Sequence, residues 1–111
     1  MDLTVEARDD GTSVVRPAGR LDLLAAPGMR QRLAAEVAAG RRLIVVDLGS
    51  VSFIDSSGLG SLIGGLRAAR QAGSDLRIAG ASEQARMIFE LMALDQVLHP
   101  YATVEDAIAG S

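Results

Sequence analysis

The sequence predicts an α/β domain with a mixed, mostly parallel sheet of four to five strands and about four helices covering it. Short apolar runs at 43–48 and 76–79 alternate with longer segments whose apolar residues recur every three to four positions. The first twenty residues alternate or run apolar around a turn signal. Strands separated by helices pair in parallel, while a tight turn between neighbouring strands makes one antiparallel pair, so the sheet is mixed.

Residues 3–7 and 13–18 flank Asp9-Asp10-Gly11 and read as a β-hairpin. Gly19-Arg20-Leu21-Asp22 is expected to leave the sheet as a loop. Pro27 suits a first helical turn, Met29, Leu33 and Val37 supply an apolar face as far as Ala39, and Gly40 stops the helix. Residues 43–48 are almost continuously apolar, as in a strand buried on both faces. A second helix is expected over 57–72, with Leu59, Leu62, Ile63 and Leu66 inward and Gly73 as its stop. A short strand follows at 76–79. Ser82 caps a third helix running to Met92, and Glu83 in its first turn complements the dipole. Its band of Met87, Ile88, Leu91, Met92 and Leu94 reads as core. Val97-Leu98 suggests a last short strand, and Thr103 with Asp106 resembles a capping box for a final helix. The order is β-β-α-β-α-β-α-(β)-α in one domain, 1–111, without repeats or linkers.

Composition narrows the function. With 49% hydrophobic and 23% charged residues, the chain is an ordinary globular one. Net charge −3 speaks against nucleic-acid or anionic-membrane binding by bulk electrostatics. No window approaches the roughly 20 apolar residues of a membrane span, and the N-terminus has no basic stretch followed by an apolar run, so a cytoplasmic protein is expected. The absence of Cys removes disulfides and thiolate chemistry. His99 is the only histidine and reads as structural or solvated, since a lone His makes a poor metal site. All eleven basic residues are Arg, which leaves His99 as the only candidate base for a serine nucleophile. No phosphate-binding loop of the G-x-x-x-x-G-K-[ST] type occurs. Neither an enzyme nor a cofactor is expected.

The most informative segment is Phe53-Ile54-Asp55-Ser56-Ser57-Gly58-Leu59-Gly60. It places two hydroxyls beside a carboxylate where the chain enters the second helix. That terminus carries unpaired N–H groups and a positive dipole, and it tolerates a serine and later its phosphate. Residues alone leave two readings open: a serine that caps the helix, and a serine that is modified. Gly60, Gly64, Arg67, Ala68 and Gln71 fall on one helical face opposite the apolar stripe. This stripe of small residues ending in polar anchors suits a docked partner, and it equally suits a flat exposed face.

The Asp55-Ser56-Ser57-Gly58-Leu59-Gly60 string, Gly19-x-Leu21-Asp22, the apolar strand 43–48 and Phe53 together resemble the STAS domain of bacterial anti-sigma factor antagonists. The resemblance implies that Ser56, directly after the Asp, is the phosphoacceptor. It implies a partner switch. Unphosphorylated protein binds an anti-sigma factor that is itself a serine kinase, and phosphorylated protein releases it until a serine phosphatase restores the hydroxyl. Asp55 then orients the serine or contacts the partner, with Asp22, Gly58, Leu59 and Gly60 shaping the docking surface; Ser57 beside the acceptor and Gly64 from the small-residue stripe are expected to join it. Arg20 stands where several relatives carry an acid. A monomer or weak dimer is expected. The same fold also serves as a structural adaptor subunit, for example beside a lipid-transport ATPase, and that is the alternative the resemblance carries.

Overall fold

The computed structural model describes residues 1–98 and 100–110, so His99 lies outside the described residues. These residues form β1 (Asp2–Ala7), β2 (Thr12–Leu21), α1 (Ala26–Ala38), β3 (Leu43–Asp47), β4 (Ser50–Ile54), α2 (Ser56–Gln71), β5 (Asp75–Ala79), α3 (Glu83–Leu91), α4 (Asp95–Leu98) and α5 (Val104–Ala109). The expected mixed sheet is present. β1 pairs antiparallel with β2, β2 pairs parallel with β3, and β3 pairs parallel with β5.

The hairpin turn closes through a local hydrogen bond and a distant side chain. The Thr12 N–H donates to Asp10 Oδ1 at 2.9 Å, and the Arg41 guanidinium donates to the carbonyls of Arg8 and Thr12 at 2.8 and 2.7 Å. β2 then continues past the point where the sequence suggests a loop. Its first half carries β3, from Thr12↔Leu43 to Val15↔Val46. Its second half carries β4, from Ala18↔Ser50 to Leu21↔Ile54, with a register shift at Gly19/Arg20. Residues 19–21, expected as loop, are therefore strand. Between β3 and β4 the chain steps aside in a short turn. Asp47 Oδ1 accepts the Gly49 N–H at 2.9 Å, and the Val51 N–H donates to the Leu48 carbonyl at 3.0 Å. β4 is a strand that the sequence pattern does not reveal.

Alternation along β3 divides the core. Ile44 and Val46 join Met29 and Leu33 of α1, Leu59, Leu62 and Leu66 of α2, and Phe89 of α3 in the main cluster. Leu43 and Val45 face the other way, onto Ala107 of α5 with Tyr101 and Val104 around it. Successive strand residues point to opposite faces, so one continuous apolar run serves both layers.

Two further expectations are corrected. Val97 and Leu98 belong to the short helix α4, and the added sheet contact comes from Tyr101, which bridges in parallel to Ala79. A two-residue apolar pair carries no period, so nothing in it separates strand from helical turn. On α3 the inward residues are Ala85 and Phe89, with Ile88 partly buried, while Met87 and Met92 are half exposed and Leu91 is 82% exposed. Phe89 is fully buried and fixes which side of this short helix faces the sheet.

The adjacent glycines of α2 have opposite surroundings. A Cβ on Gly65 would stand 2.5 Å from Leu33 Cδ1 and 3.2 Å from Leu76 Cδ1, whereas one on Gly64 would meet nothing within 4 Å. Gly65 lets α1 and α2 approach closely, and Gly64 opens onto solvent. Gly65→Leu is expected to destabilise by about 1–3 kcal/mol through overpacking. Gly64→Leu should leave stability unchanged or raise it by up to about 1 kcal/mol through helix propensity. Thermal unfolding of the two variants side by side checks the contrast, and equal melting temperatures would contradict it.

Candidate functional site

β2 and β4 end side by side and deliver two loops to one end of the sheet. The Asp55 N–H donates to the Leu21 carbonyl at 3.3 Å, which holds the β4–α2 junction against the end of β2. The Asp55 side chain then works in two directions. Its Oδ1 accepts the Gly58 N–H at 2.9 Å and caps α2, and its Oδ2 accepts the Leu23 N–H at 3.1 Å from the β2–α1 loop. Asp22 organises that loop from within. Its Oδ1 accepts the N–H groups of Leu24 and Ala25 at 3.1 and 3.2 Å, while its backbone carbonyl accepts from Ala25 and Ala26. The loops carrying Asp22 and Asp55, far apart in sequence, thus meet.

The cap is Asp55, with extended φ and ψ of −112° and −175°. The serines are therefore released from that task. Ser56 and Ser57 occupy the first two helical positions; Ser56 is exposed and Ser57 half-buried. The capping role considered for them from sequence falls to the carboxylate before them.

The remaining residues of the segment divide between inside and outside. Gly58 and Leu59 are buried, Leu59 to 1% exposure, so they shape this end of the helix from beneath. A Cβ on Gly58 would overlap the Leu21 carbonyl, so only glycine lets α2 start this close to β2. Gly60 and Gly64 are exposed with open space before them, and Arg67 and Gln71 continue the exposed face. The loop beside Ser56 displays Leu23 and Leu24, 68% and 90% exposed. A rim of backbone hydrogen bonds thus presents two bare leucines.

Arg20, at the end of β2, lies with its guanidinium carbon 4.3 Å from the Phe53 ring centroid and its Nε 3.4 Å from Asp22 Oδ2. Cation–π contact and ion pair together orient a side chain that is otherwise largely exposed. Partial desolvation works to raise the Asp22 pKa. The Ala25 N–H, the Arg20 guanidinium and the Leu24 N–H outweigh it and hold the carboxyl below its ordinary value.

One residue of the site has no signal in the sequence. The Gln84 side chain, on α3, accepts the Ile54 N–H at 3.2 Å and donates to the Ile54 carbonyl at 2.9 Å. Its amide pairs with Ile54 as a neighbouring strand would, on the side of β4 that has no strand beside it. This fixes the residue immediately before Asp55. No cluster of three or more His, Cys, Asp or Glu that could hold a metal occurs among the described residues. No helix among them is long and apolar enough to cross a membrane.

Comparison with known proteins agrees with this geometry. The family model of the STAS domain matches residues 4–107. An anti-sigma-B factor antagonist of Staphylococcus aureus is 34% identical over 100 residues, covering 89% of this chain and 93% of the relative. The crystal structure of an anti-sigma factor antagonist from Mycobacterium paratuberculosis superposes with a TM-score of 0.87 at 29% identity, covering 98% of this chain and 92% of that one. The phosphorylated form of the Bacillus cell-fate determinant SpoIIAA superposes with a TM-score of 0.75 at 27% identity, covering 97% of each chain. The chain belongs to the STAS domain family, among the bacterial anti-sigma factor antagonists.

The pairing at Ile54 and the charge on Asp22 can each be tested. Gln84→Ala leaves both polar groups of Ile54 without their side-chain partner, at a cost of about 1–3 kcal/mol. The Asp55 and Ser56 amide resonances should shift with it, and an unchanged melting temperature would show the pairing to be dispensable. The Asp22 carboxyl, stabilised as the anion, should titrate below the ordinary value of about 4. Its contribution to the loop is then complete above that value and is lost as pH falls through the lower, folded pKa. The Leu24 and Ala25 amide shifts followed in an acid titration report this midpoint directly, and a midpoint at or above 4 would overturn it.

Proposed function

We propose that this chain is a phosphorylation-gated partner switch: a cytoplasmic, non-enzymatic anti-sigma factor antagonist whose STAS domain spans residues 1–111. Unphosphorylated, it binds an anti-sigma factor with serine kinase activity. Phosphorylated on Ser56, it lets that partner go, and a serine phosphatase resets it.

The observation that carries this reading is the division of labour at the start of α2. Asp55 caps the helix, which leaves Ser56 exposed at its first position. A hydroxyl in that position is open to a kinase, and its modification need not unfold the helix, because a helix N-terminus favours an anion. A phosphate adds about −1.5 to −2 charge and three acceptor oxygens. Here it would join Asp55 and Asp22 on one surface, next to the exposed Leu23 and Leu24. A surface that couples apolar contact with two carboxylates changes sharply in character when a dianion is placed on it. Affinity for a partner then falls through desolvation and like-charge repulsion while the domain stays folded. The similar Bacillus protein SpoIIAA has a phosphorylated form with this fold, which supports the same reading for the chain here.

In this scheme Asp55 and Asp22 position the two loops, Ser57 lies at the edge of the docking face, and Gly58 and Leu59 support it from below. Gly60 and Gly64 provide a flat helical stripe on which a partner rests. Arg20 adds an oriented cation to the rim of the face and selects for a partner with an acid opposite it.

The test is phosphosite mapping after incubation with ATP and the candidate serine-kinase anti-sigma factors of the source organism. Ser56→Ala should abolish incorporation and keep binding and melting temperature, whereas Ser57→Ala should retain incorporation. Ser56→Asp should weaken binding less than true phosphorylation does, because a carboxylate has less charge and fewer acceptor oxygens than phosphate. Phosphate found on Ser57, or affinity unchanged in the genuine phosphoprotein, would refute the scheme.

A further inference from the structure

A second surface lies toward the other end of α2, beside α4. Ile63, Leu66, Arg67, Arg70, Gln71 and Val97 line an open trough of about 380 Å³. Its floor is hydrocarbon, since Leu66 belongs to the main core and Ile63 packs against it. Among the described residues its polar groups are two guanidiniums and one amide, and none of those lining it is acidic. Arg67 and Arg70 are three residues apart on α2 and therefore neighbours on the helix surface. Arg70 Nε stands 3.6 Å from Asp75 Oδ1 in a largely exposed contact, while Arg67 makes no ion pair among the described residues. In a chain of net charge −3, two adjacent cations above an apolar floor reverse the local sign.

We propose that this trough binds an amphiphilic carboxylate, a medium-chain fatty acid. Its alkyl chain would cover Ile63, Leu66 and Val97, and its carboxylate would pair with Arg67, assisted by Arg70 and the Gln71 amide. The volume lies within the range of small-molecule sites, roughly 300–1,000 Å³. Guanidinium forks match a carboxylate in geometry as well as in charge. The apolar lining that α2 contributes, Ile63 to Leu66, is a single turn long. A docked amphipathic helix uses anchors spread over two turns, so a small ligand suits this trough better than a helical protein segment.

The trough shares Arg67 and Gln71 with the exposed face that Gly60 and Gly64 begin but does not include Ser56, and the experiment keeps the two readings apart. Decanoate, below its micelle concentration, is titrated into the full chain by calorimetry and by amide spectra. Saturable one-to-one binding is expected, with shifts confined to residues 63–71 and the neighbourhood of Val97. Arg67→Glu should weaken it by about tenfold or more, since it removes a charge-assisted hydrogen bond and adds repulsion. Arg67→Gln should fall between, and both variants should melt like the parent because the side chain is exposed. Decyltrimethylammonium, with the same tail and the opposite charge, should bind at least about tenfold more weakly for the same reason. Ser56→Asp should bind decanoate like the parent, so failure of the switch leaves this result untouched. Absence of saturable binding, equal affinity for the cation, unchanged affinity in Arg67→Glu, or shifts centred on Leu23 and Leu24 or on Met87 and Leu91 would each overturn the proposal. An acidic amphipathic peptide binding where decanoate does not would overturn it as well.

Discussion

The end of the sheet where the β2–α1 loop meets the start of α2 depends on one carboxylate. Asp55 divides its two oxygens between the Gly58 N–H of α2 and the Leu23 N–H of the β2–α1 loop. Each bond satisfies a donor that regular secondary structure leaves over. Together they fasten a helix start to a loop that follows a different strand. Both contacts are to backbone, so they fix chain positions and leave the neighbouring side chains free. Asp22 extends the arrangement by collecting the next two N–H groups of its own loop. With the backbone donors turned inward onto carboxylates, Ser56, Leu23 and Leu24 face solvent on a rigid base.

That base is prepared from below. The Leu21 carbonyl receives the Asp55 N–H, and the same carbonyl excludes any side chain at position 58. Gln84 contributes from α3 by pairing with both polar groups of Ile54, which stabilises a strand that has β2 on one side only. The core supplies the stiffness, because Leu59 and Ile54 are fully enclosed in the main apolar cluster. Packing, backbone pairing and capping converge on the few residues between Ile54 and Gly60.

Much of this is legible in the sequence, for identifiable reasons. The strand at 43–48 announces itself as an uninterrupted apolar run, and the helices by their spacing and stops. Ser82 and Thr103 do cap their helices, accepting the N–H groups of Ala85 and Asp106. β4 is hidden because Val51, Phe53 and Ile54 give too short an alternation after Gly49-Ser50, and its pairing to β2 is a matter of space. The end of β2 reads as loop because Gly19 and Arg20 sit at a register shift, which a pattern of alternation cannot follow. Gln84 leaves no trace, since a side chain bonding to backbone thirty residues away has no period. The exposure of Met87, Leu91 and Met92 runs against the sequence pattern for a related reason. Apolar character marks what is able to be buried, and the single bulky Phe89 decides which face of α3 is.

The long strand β2 acts as a ruler. It alone contacts both β3 and β4, and it ends at the loop that Asp55 holds. One residue inserted between Val15 and Ala18 would advance Leu21 and Asp22 by about 3.3 Å and reverse which face each side chain occupies. The Leu23 N–H would then no longer meet the carboxylate across from it. The turn at Leu48–Gly49 pairs with no residue of β2, so length variation there leaves the register of β2 with both short strands unchanged. Tolerance to insertion and deletion across this family should therefore be lopsided, generous between the two short strands and strict along the one they share.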